Sequence, residues 1–506
     1  MGKGHYGVVE AGNVESWSDE ADVVIVGLGC AGVCAAIEAR EAGADVLVLE
    51  RASGGGGVTS MAAGHVYLGG GTRVQKAVGV EDSIEDMYTY LVMNTPEPNE
   101  EKIRAYCDES VRHFDWLVAH DVPFNDTMYE GKHVLQMTDE CLIWSGNEEV
   151  HPFRDKAKPA PRGHKVAEVG HLGGAKMMER LIARAESLGV RIVCDAYVTQ
   201  LVREDGRIAG VYYRAFGEDK GGVRARKGVI LAAGQFTEND ELLEEFLPEL
   251  LDEAYTRQFA PYDDGAGHQL GRSAGGVLKH MDGALVTAAF YPPESHIKGI
   301  LVNKAGKRYV AEDSYHSRSS LFTTRQPDRA GWLILDDLTY AVDPPHYGAY
   351  PLVDAFESVP EMEEALGMPN GALRETLRNY NTHAARGEDP EFQKGKKWLA
   401  PLTNPPYAAL DASVGQATYM AFTLGGLDVS IDGEVLDENG TAIPGLYAAG
   451  GCASNIAQDG TGYSSGTCIG ESTFFGRRAG RHVAEIEAVE SRVVELEAAE
   501  HQDAKR

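Results

Sequence analysis

The residues with the plainest chemistry are three glycines in Gly27-Leu28-Gly29-Cys30-Ala31-Gly32 and a carboxylate at Glu50. A Gly-x-Gly-x-x-Gly turn brings bare backbone and a helix N-terminus up to a pyrophosphate, and an acid about 20 residues further on accepts hydrogen bonds from a ribose diol. In this reading Gly27 permits the tight turn, Gly29 admits the phosphates, and Gly32 lets helix and strand pack closely, with Ala31 inside the same turn. The chemistry that follows is that of a dinucleotide redox cofactor. Metals offer less. His65, His151, His164 and His171 form no recognisable metal constellation, so no metal is expected. Seven cysteines, an odd number with no CxxC pair, point to reduced thiols and to neither a disulfide framework nor a zinc site.

The elements that must position the glycines are legible around them. Asp22–Val26 is a continuous apolar run of the kind a buried parallel strand needs, Val33–Arg40 has a helical pattern of small residues, and Asp45–Leu49 is a second strand ending at Glu50. Three later segments favour FAD over NAD. Arg51-Ala52-Ser53 leads into Gly54–Gly57 and then Val58-Thr59-Ser60-Met61-Ala62-Ala63-Gly64, a second stretch of bare backbone suited to a longer ligand. The strand Gly228–Gly234 ends in Ala233-Gly234 like the second nucleotide strand of two-dinucleotide flavoproteins, and Pro444–Gly451 ends in Gly450-Gly451. Contributions from both ends of the chain imply a nucleotide domain with an insertion in its middle.

The expected fold is therefore α/β: a discontinuous, Rossmann-like FAD-binding domain of the glutathione-reductase-like kind with an inserted α+β substrate domain. The divisions read as an N-terminal extension 1–20, FAD-binding domain 21–270, insert 271–400, second FAD-binding part 401–482, and a C-terminal helix and tail 483–506. Residues 101–117 predict one amphipathic helix, 175–187 another, 191–193 a strand, 197–202 and 208–213 a hairpin, and 332–335 a strand of the insert. The proline-rich, basic stretch His151–His164 reads as a loop, either a surface excursion or a lid facing the substrate. Arg478–Glu500, with Val483, Ile486, Val489, Val493 and Leu496 at helical spacing, reads as a packed terminal helix.

Composition sets outer limits. With 506 residues, 43% hydrophobic and 25% charged, the chain is globular and long enough for more than one packed unit. Its 59 glycines stand well above the ~7% of ordinary chains. The balance of 47 basic to 77 acidic residues, net -30, repels nucleic acid and anionic membranes. No stretch approaches the ~18 uninterrupted apolar residues of a membrane span, and the first 20 residues carry no signal-peptide core, so a soluble, cytoplasmic protein is expected.

The glycine fingerprint, Ala232-Ala233-Gly234, Asp264-Gly265-Ala266-Gly267, the turn Arg308–Glu312, Thr423–Gly426 and Gly445–Gly450 together resemble the fumarate reductase and succinate dehydrogenase flavoprotein superfamily, over about residues 20–482. A narrower likeness, to the FAD-dependent 3-ketosteroid dehydrogenases of the Δ4-(5α) type, is carried by Phe153–His164, Gly331–Asp337, Gly462–Gly466 and Phe474–Gly480. The resemblance places Val198, Asp264, Gly466, Cys468 and Ile469 at the cofactor, beside the segments already named, with backbone amides around 466–469 facing the flavin pyrimidine. It also implies noncovalent FAD, since Thr59 or Ser60 stands where succinate dehydrogenases carry their flavin-linked histidine.

Departures from the fumarate reductases select the substrate class. Ser314-Tyr315-His316 stands where those enzymes carry an arginine acid, Phe422 where they carry a carboxylate-binding histidine, and Gly462–Ser465 where they carry a further arginine. A dianion needs fixed cations, so these positions imply a neutral, largely apolar, steroid-like ketone. Dehydrogenation beside a ketone removes an α proton and a β hydride. The resemblance implies that Ser465 takes the proton with Tyr315 and Tyr463 as a relay, the serine and tyrosine roles being exchangeable, and with His316 as an alternative acid. Tyrosine, whose free pKa is about 10, serves as a base only where its phenolate is stabilised. An external electron acceptor is implied, because the chain carries neither a haem motif nor an iron–sulfur cysteine cluster. The rival readings are a 3-ketosteroid Δ1-dehydrogenase, a fumarate-reductase-like enoate reductase, and a non-catalytic flavoprotein. The sequence leaves the oligomeric state open.

Overall fold

Val23, Val24, Ile25 and Val26 are buried on both faces, as a strand in the middle of a parallel sheet must be. The computed structural model describes residues 6–134, 136–215, 218–257, 262–342 and 350–503, with side chains as far as Ile486. In it, Trp17–Val26 lies between Glu218–Leu231 and Val46–Leu49, parallel to both, and Arg191–Val193 continues the parallel set. Ala442–Ala448 joins the end of Glu218–Leu231, also in parallel, some two hundred residues later in the chain. The nucleotide sheet is thus closed from both ends of the sequence, as a discontinuous domain requires.

The hairpin Ala196–Glu204 and Arg207–Ala215 extends this sheet, and Gly7–Glu10 pairs in parallel on its far edge. Within the expected N-terminal extension, residues 7–10 and 17–20 are therefore strands of this sheet. The reason lies in pairing: an edge with unsatisfied backbone groups gains a partner, and Trp17 packs under the Arg224 guanidinium at 4.3 Å.

Helix Cys30–Glu41 follows the glycine turn and is buried from Cys30 through Ala39. It is covered by helix Thr467–Asp503, which starts well before the expected residue 478. A Cβ on Gly476 would lie 2.4 Å from the Ala31 carbonyl oxygen, and one on Gly480 2.2 Å from that of Ala35, so only glycines let the two helices approach this closely. Val483 and Ala484 are buried; Val489, Val493 and Leu496 lie outside the described side chains. Among the described residues no helix is long and apolar enough to cross a membrane.

The insert holds two further sheets. Tyr255–Arg257, Tyr419–Thr423 and Ala284–Thr287 form one; Ile300–Asn303, Gly331–Asp336, Tyr407–Asp411 and Leu352–Phe356 form the other. Strands 407–411 and 419–423 pair within this part, beyond residue 400 where the sequence reading ends it. Helix His316–Thr324 packs on Ala284–Thr287.

Two expectations change. The single helix over 101–117 is two, Glu100–Asp108 and Ser110–Ala119, broken at Glu109, because the buried Ser110 hydroxyl accepts the Gly69 N–H at 2.8 Å and fixes the second helix start on that loop. The stretch 151–164 is neither a surface excursion nor a lid. Phe153, Ala157, Ala160, Arg162 and His164 are buried, none lines the large cavity, and the stretch ends in strand Gly163–Lys165 between His65–Tyr67 and Leu142–Ile143. Its basic character has one clear use: Arg162 and Asp82, both fully buried, pair at 2.7 Å. Replacing Arg162 by Met leaves a buried carboxylate unpaired, and the expected loss is about 3–5 kcal/mol, read as a lower urea midpoint of unfolding; an unchanged midpoint would show that the pair is dispensable.

Candidate active site

One cavity of about 740 Å³ starts at the glycine turn and runs to the insert. Its first wall is the fingerprint, whose glycines divide their roles. Gly27 has φ +104°, and a Cβ there would lie 2.4 Å from the Ala232 carbonyl oxygen. A Cβ on Gly32 would lie 2.1 Å from the Gly27 carbonyl oxygen, so this glycine seats the helix on the turn and does not line the cavity. A Cβ on Gly29 would meet nothing within 4 Å; it faces open space. Helix Cys30–Glu41 has no side-chain cap, leaving its first N–H groups to an anion from outside the chain.

Glu50 accepts hydrogen bonds from the Leu28 and Ala52 N–H groups, each at 2.7 Å, and so braces the glycine turn from the next strand. Arg51 pairs with Asp264 and lies 4.3 Å over the Tyr197 ring. These residues line the cavity with Ala31, Ala52, Gly57, Thr59, Met61 and Ala63, and with Val198, Ala233, Gly234 and Gly450. Gly466, Cys468 and Ile469 line it at the start of the second long helix. That helix start turns its first N–H groups and the positive end of its dipole toward the cavity, where they would favour a ring that gains negative charge on reduction. Ser60 and Gly64, also expected at the cofactor, do not line the cavity. The Ser60 hydroxyl packs on Gly56, and Gly64 lies against the backbone of Gly173, so both shape the turn behind the wall.

Bare backbone at Gly27–Gly29, an uncapped helix start and an open face at Gly29 fit the pyrophosphate of FAD. The buried Asp263 Oδ2 and Gln235 Oε1, which line the same cavity without a protein partner, supply acceptors for the polar edges of such a ligand.

The far end of the cavity brings Tyr315, Tyr463 and Ser465 together. Tyr315 comes from the insert, immediately before helix His316–Thr324; Tyr463 and Ser465 come from the segment leading into Thr467–Asp503. The two tyrosine rings are 6.4 Å apart, and the Ser465 side chain lies beside the Tyr315 hydroxyl. Cys468 lies beside the Tyr463 hydroxyl. Burial pushes both phenols up from their ordinary value, so both are neutral at physiological pH. His316 packs on Tyr315 with centroids 3.9 Å apart and the rings tilted by 44°, and it is hydrogen-bonded to Thr287. Burial, and then the charge of Lys132, pushes its imidazole down to about 3, which leaves no imidazolium for the acid role the sequence left open.

Leu285, Ala289, Met420, Phe422, Leu424 and Ala457 complete this end as an apolar wall. Among the described residues the arginine and lysine side chains lining the cavity are Arg51 and Arg257, each already engaged, by Asp264 and by Asp240 at 2.8 Å. Among the described residues no group of His, Cys, Asp or Glu could hold a metal. Sequence reasoning missed Tyr197, Asp263, Gln235 and the wall residues Leu285 and Met420. Tyr197 was within reach, as the neighbour of Val198 on a strand beside Arg51; the wall residues are ordinary apolar positions whose role only the packing of the insert reveals.

A split parallel sheet with an uncapped glycine turn, opening on a cavity shared with an inserted domain, is the architecture of an FAD-dependent oxidoreductase. The chain belongs to the FAD binding domain family, which matches residues 22–468, and its cofactor is FAD. Among curated relatives, the 3-oxo-5-alpha-steroid 4-dehydrogenase of Comamonas testosteroni is 28% identical, over 88% of this chain and 95% of its own length. The cytochrome fumarate reductase of Shewanella frigidimarina is also 28% identical, over 92% of this chain and 77% of its own. Among solved structures, 3-ketosteroid-delta4-(5alpha)-dehydrogenase from Rhodococcus jostii RHA1, in complex with 4-androstene-3,17-dione, matches with a TM-score of 0.87 at 42% identity, covering 94% of this chain and 99% of that one. A 3-ketosteroid delta1-dehydrogenase from Sterolibacterium denitrificans shares the fold, with a TM-score of 0.69 at 20% identity. The superfamily expected from the motifs is borne out.

Two outcomes are expected from this geometry. Gly32→Val drives a side chain into the Gly27 carbonyl and unseats the helix start, so the purified variant loses its visible flavin band on gel filtration; full retention of FAD would sink the assignment of that turn. Burial, and then the charge of Asp264, pushes the Asp263 carboxyl up from 3.8 to about 7. The folded apoprotein therefore binds this proton more tightly than the unfolded chain, so this group's contribution to stability falls as pH rises from about 4 to about 7. Asp263→Asn removes that component, and the slope of melting temperature against pH flattens over the same window.

Proposed function

We propose that this protein dehydrogenates a neutral 3-ketosteroid, forming the C=C bond beside the ketone on the Δ4 side of a 5α substrate, with noncovalently held FAD. The observation that carries the reading is the far end of the cavity: hydroxyls of Tyr315, Tyr463 and Ser465 set in an apolar wall, with no arginine or lysine among the described lining residues free to hold a carboxylate. An enoate dianion buried there would be unpaired, at a cost no hydrogen bond to a phenol offsets. The relatives named above whose activity is steroid 4-dehydrogenation support the same side of the carbonyl.

Bound FAD supplies the acceptor for the β hydride. The chain's own part is the proton. Ser465 receives the α proton while passing its hydroxyl proton to Tyr315, beside which it lies. Because burial keeps both phenols protonated, each hydroxyl takes one proton as it releases another, the last proton going to bulk water, and no tyrosinate has to stand in the cavity. Tyr463, beside Cys468 and 6.4 Å from Tyr315 between ring centroids, is the second tyrosine hydroxyl of the relay. The apolar wall excludes water from the reacting carbon and holds the flat substrate against it. Electrons leave to an external acceptor.

The test is a dye-coupled panel with purified protein. Bleaching with a 5α-saturated 3-ketosteroid, and a 4-ene product, is expected; a 1-ene product alone overturns the regiochemistry, and silence with every ketosteroid overturns the steroid assignment. Tyr463→Phe and Ser465→Ala are each expected to keep bound FAD while kcat drops by about 10²–10⁴-fold, the usual scale for loss of a proton-transfer group. Loss of the flavin instead would make these residues structural.

A further inference from the structure

Tyr315 and Ser465 come from different parts of the fold, yet their side chains lie together at one end of the cavity. The segment Ser145–Asn147 reaches both of them. On one side the Ser465 N–H donates to the Ser145 carbonyl at 2.7 Å. On the other the Tyr315 N–H donates to Asn147 Oδ1 at 2.8 Å. The Asn147 N–H donates in turn to the Tyr90 hydroxyl at 2.8 Å, which lies 2.8 Å from the Ser464 hydroxyl. Between the two contacts Gly146 leaves no room: a Cβ there would lie 2.1 Å from Ser464 Oγ and 2.6 Å from the Tyr90 hydroxyl.

Asn147 is fully buried. Its amide orientation is dictated, because a flipped group would set an NH₂ against the Tyr315 N–H. Tyr315 precedes helix His316–Thr324 with its own side chain committed to the cavity and none left to cap that helix. Its N–H therefore has to find an acceptor outside the helix ladder, and Asn147 supplies it.

We propose that Asn147 is a positioning residue for the dehydrogenation: by holding the Tyr315 N–H from the segment that also holds Ser465, it sets the Tyr315 hydroxyl on the Ser465 hydroxyl. The inference rests on the function proposed above and goes beyond it, since Asn147 lines no part of the cavity and acts only through Tyr315. Removing its amide oxygen frees the backbone at Tyr315, and a shift of about 1 Å at a reacting group costs on the order of 10²-fold in rate.

The experiment compares steady-state kinetics of the FAD-loaded wild type with Asn147→Ala, Tyr315→Phe and the double variant. Asn147→Ala is expected to lower kcat by about 10²-fold with KM within about threefold, and to cost less than about threefold more when Tyr315 is already Phe. Equal losses in both backgrounds would mark a merely structural role and overturn the inference, as would a wild-type kcat in Asn147→Ala. Asn147→Asp keeps an acceptor oxygen, ionised or not, and is expected to hold kcat within about tenfold of wild type. If it is folded and yellow but as slow as Tyr315→Phe, the positioning role also falls. A wild type inert towards 5α-ketosteroids removes the function itself, which separates that failure from failure of the Asn147 role alone.

Discussion

The close contact between helix Cys30–Glu41 and helix Thr467–Asp503 is the constraint on which the rest depends. One helix begins at the nucleotide turn, the other just beyond Ser465, and their small residues bring them together at Ala31 with Gly476 and Ala35 with Gly480. Both helix starts consequently open on one cavity. A larger side chain at any of these glycines would separate the pyrophosphate cradle from the segment that carries Tyr463 and Ser465. The glycine excess is thus partly a packing requirement, and only partly one of ligand approach.

The insert has to meet that fixed pair of helix starts from the other side, and a buried ionic cluster within it fixes the turn that leads to Tyr315. Arg308 pairs with Glu312 and with Asp389, each at 2.8 Å, and Lys394 reaches Glu312 at 3.2 Å. Glu312 also accepts the Leu301 N–H, and Asp313 the Gly395 N–H at 2.7 Å. Such a cluster is a poor source of net stability but a strict specifier of geometry, because each partner is costly to leave alone. It fixes the turn three residues before Tyr315. The tyrosine is therefore held from two directions, by this turn and by Asn147.

The sequence showed the nucleotide half clearly. The turn Gly27–Gly32, the strands on either side of it and Glu50 form one local unit, and local units carry their signals in spacing. Glu50 proved to brace the Leu28 and Ala52 N–H groups as well as to face the cavity, a second role that spacing alone could not separate from the first. The strand Gly7–Glu10 was missed because its pairing partner lies near residue 200 and no local pattern announces a short edge strand. The helix over 101–117 was drawn through Glu109 because the apolar period runs on across it; the break comes from Ser110 reaching Gly69, a contact made in the tertiary structure. Tyr315, Tyr463 and Ser465 were reached only by likeness to a known family, since residues 150 positions apart have no common spacing to read. Asn147 had no signal of either kind.

Charge is distributed so that the substrate end stays neutral. The chain carries -30 overall, yet the groups around this end are hydroxyls, a neutral imidazole, apolar walls and one carboxyl, Glu471, that burial pushes up to about 7. Buried cations nearby are held elsewhere: Lys132 by the Asp313 carbonyl, Arg162 by Asp82, Arg308 and Lys394 by Glu312. A cavity so arranged discriminates by what it lacks. A carboxylate entering it would lose its hydration and find no partner, whereas a ketone needs only one or two hydroxyl donors and a flat apolar surface. On the proposed reading the tyrosines relay a proton without being anions, because burial keeps each phenol protonated. In the proposed mechanism, selectivity for a neutral ketone and the hydroxyl relay are two consequences of one arrangement of charge.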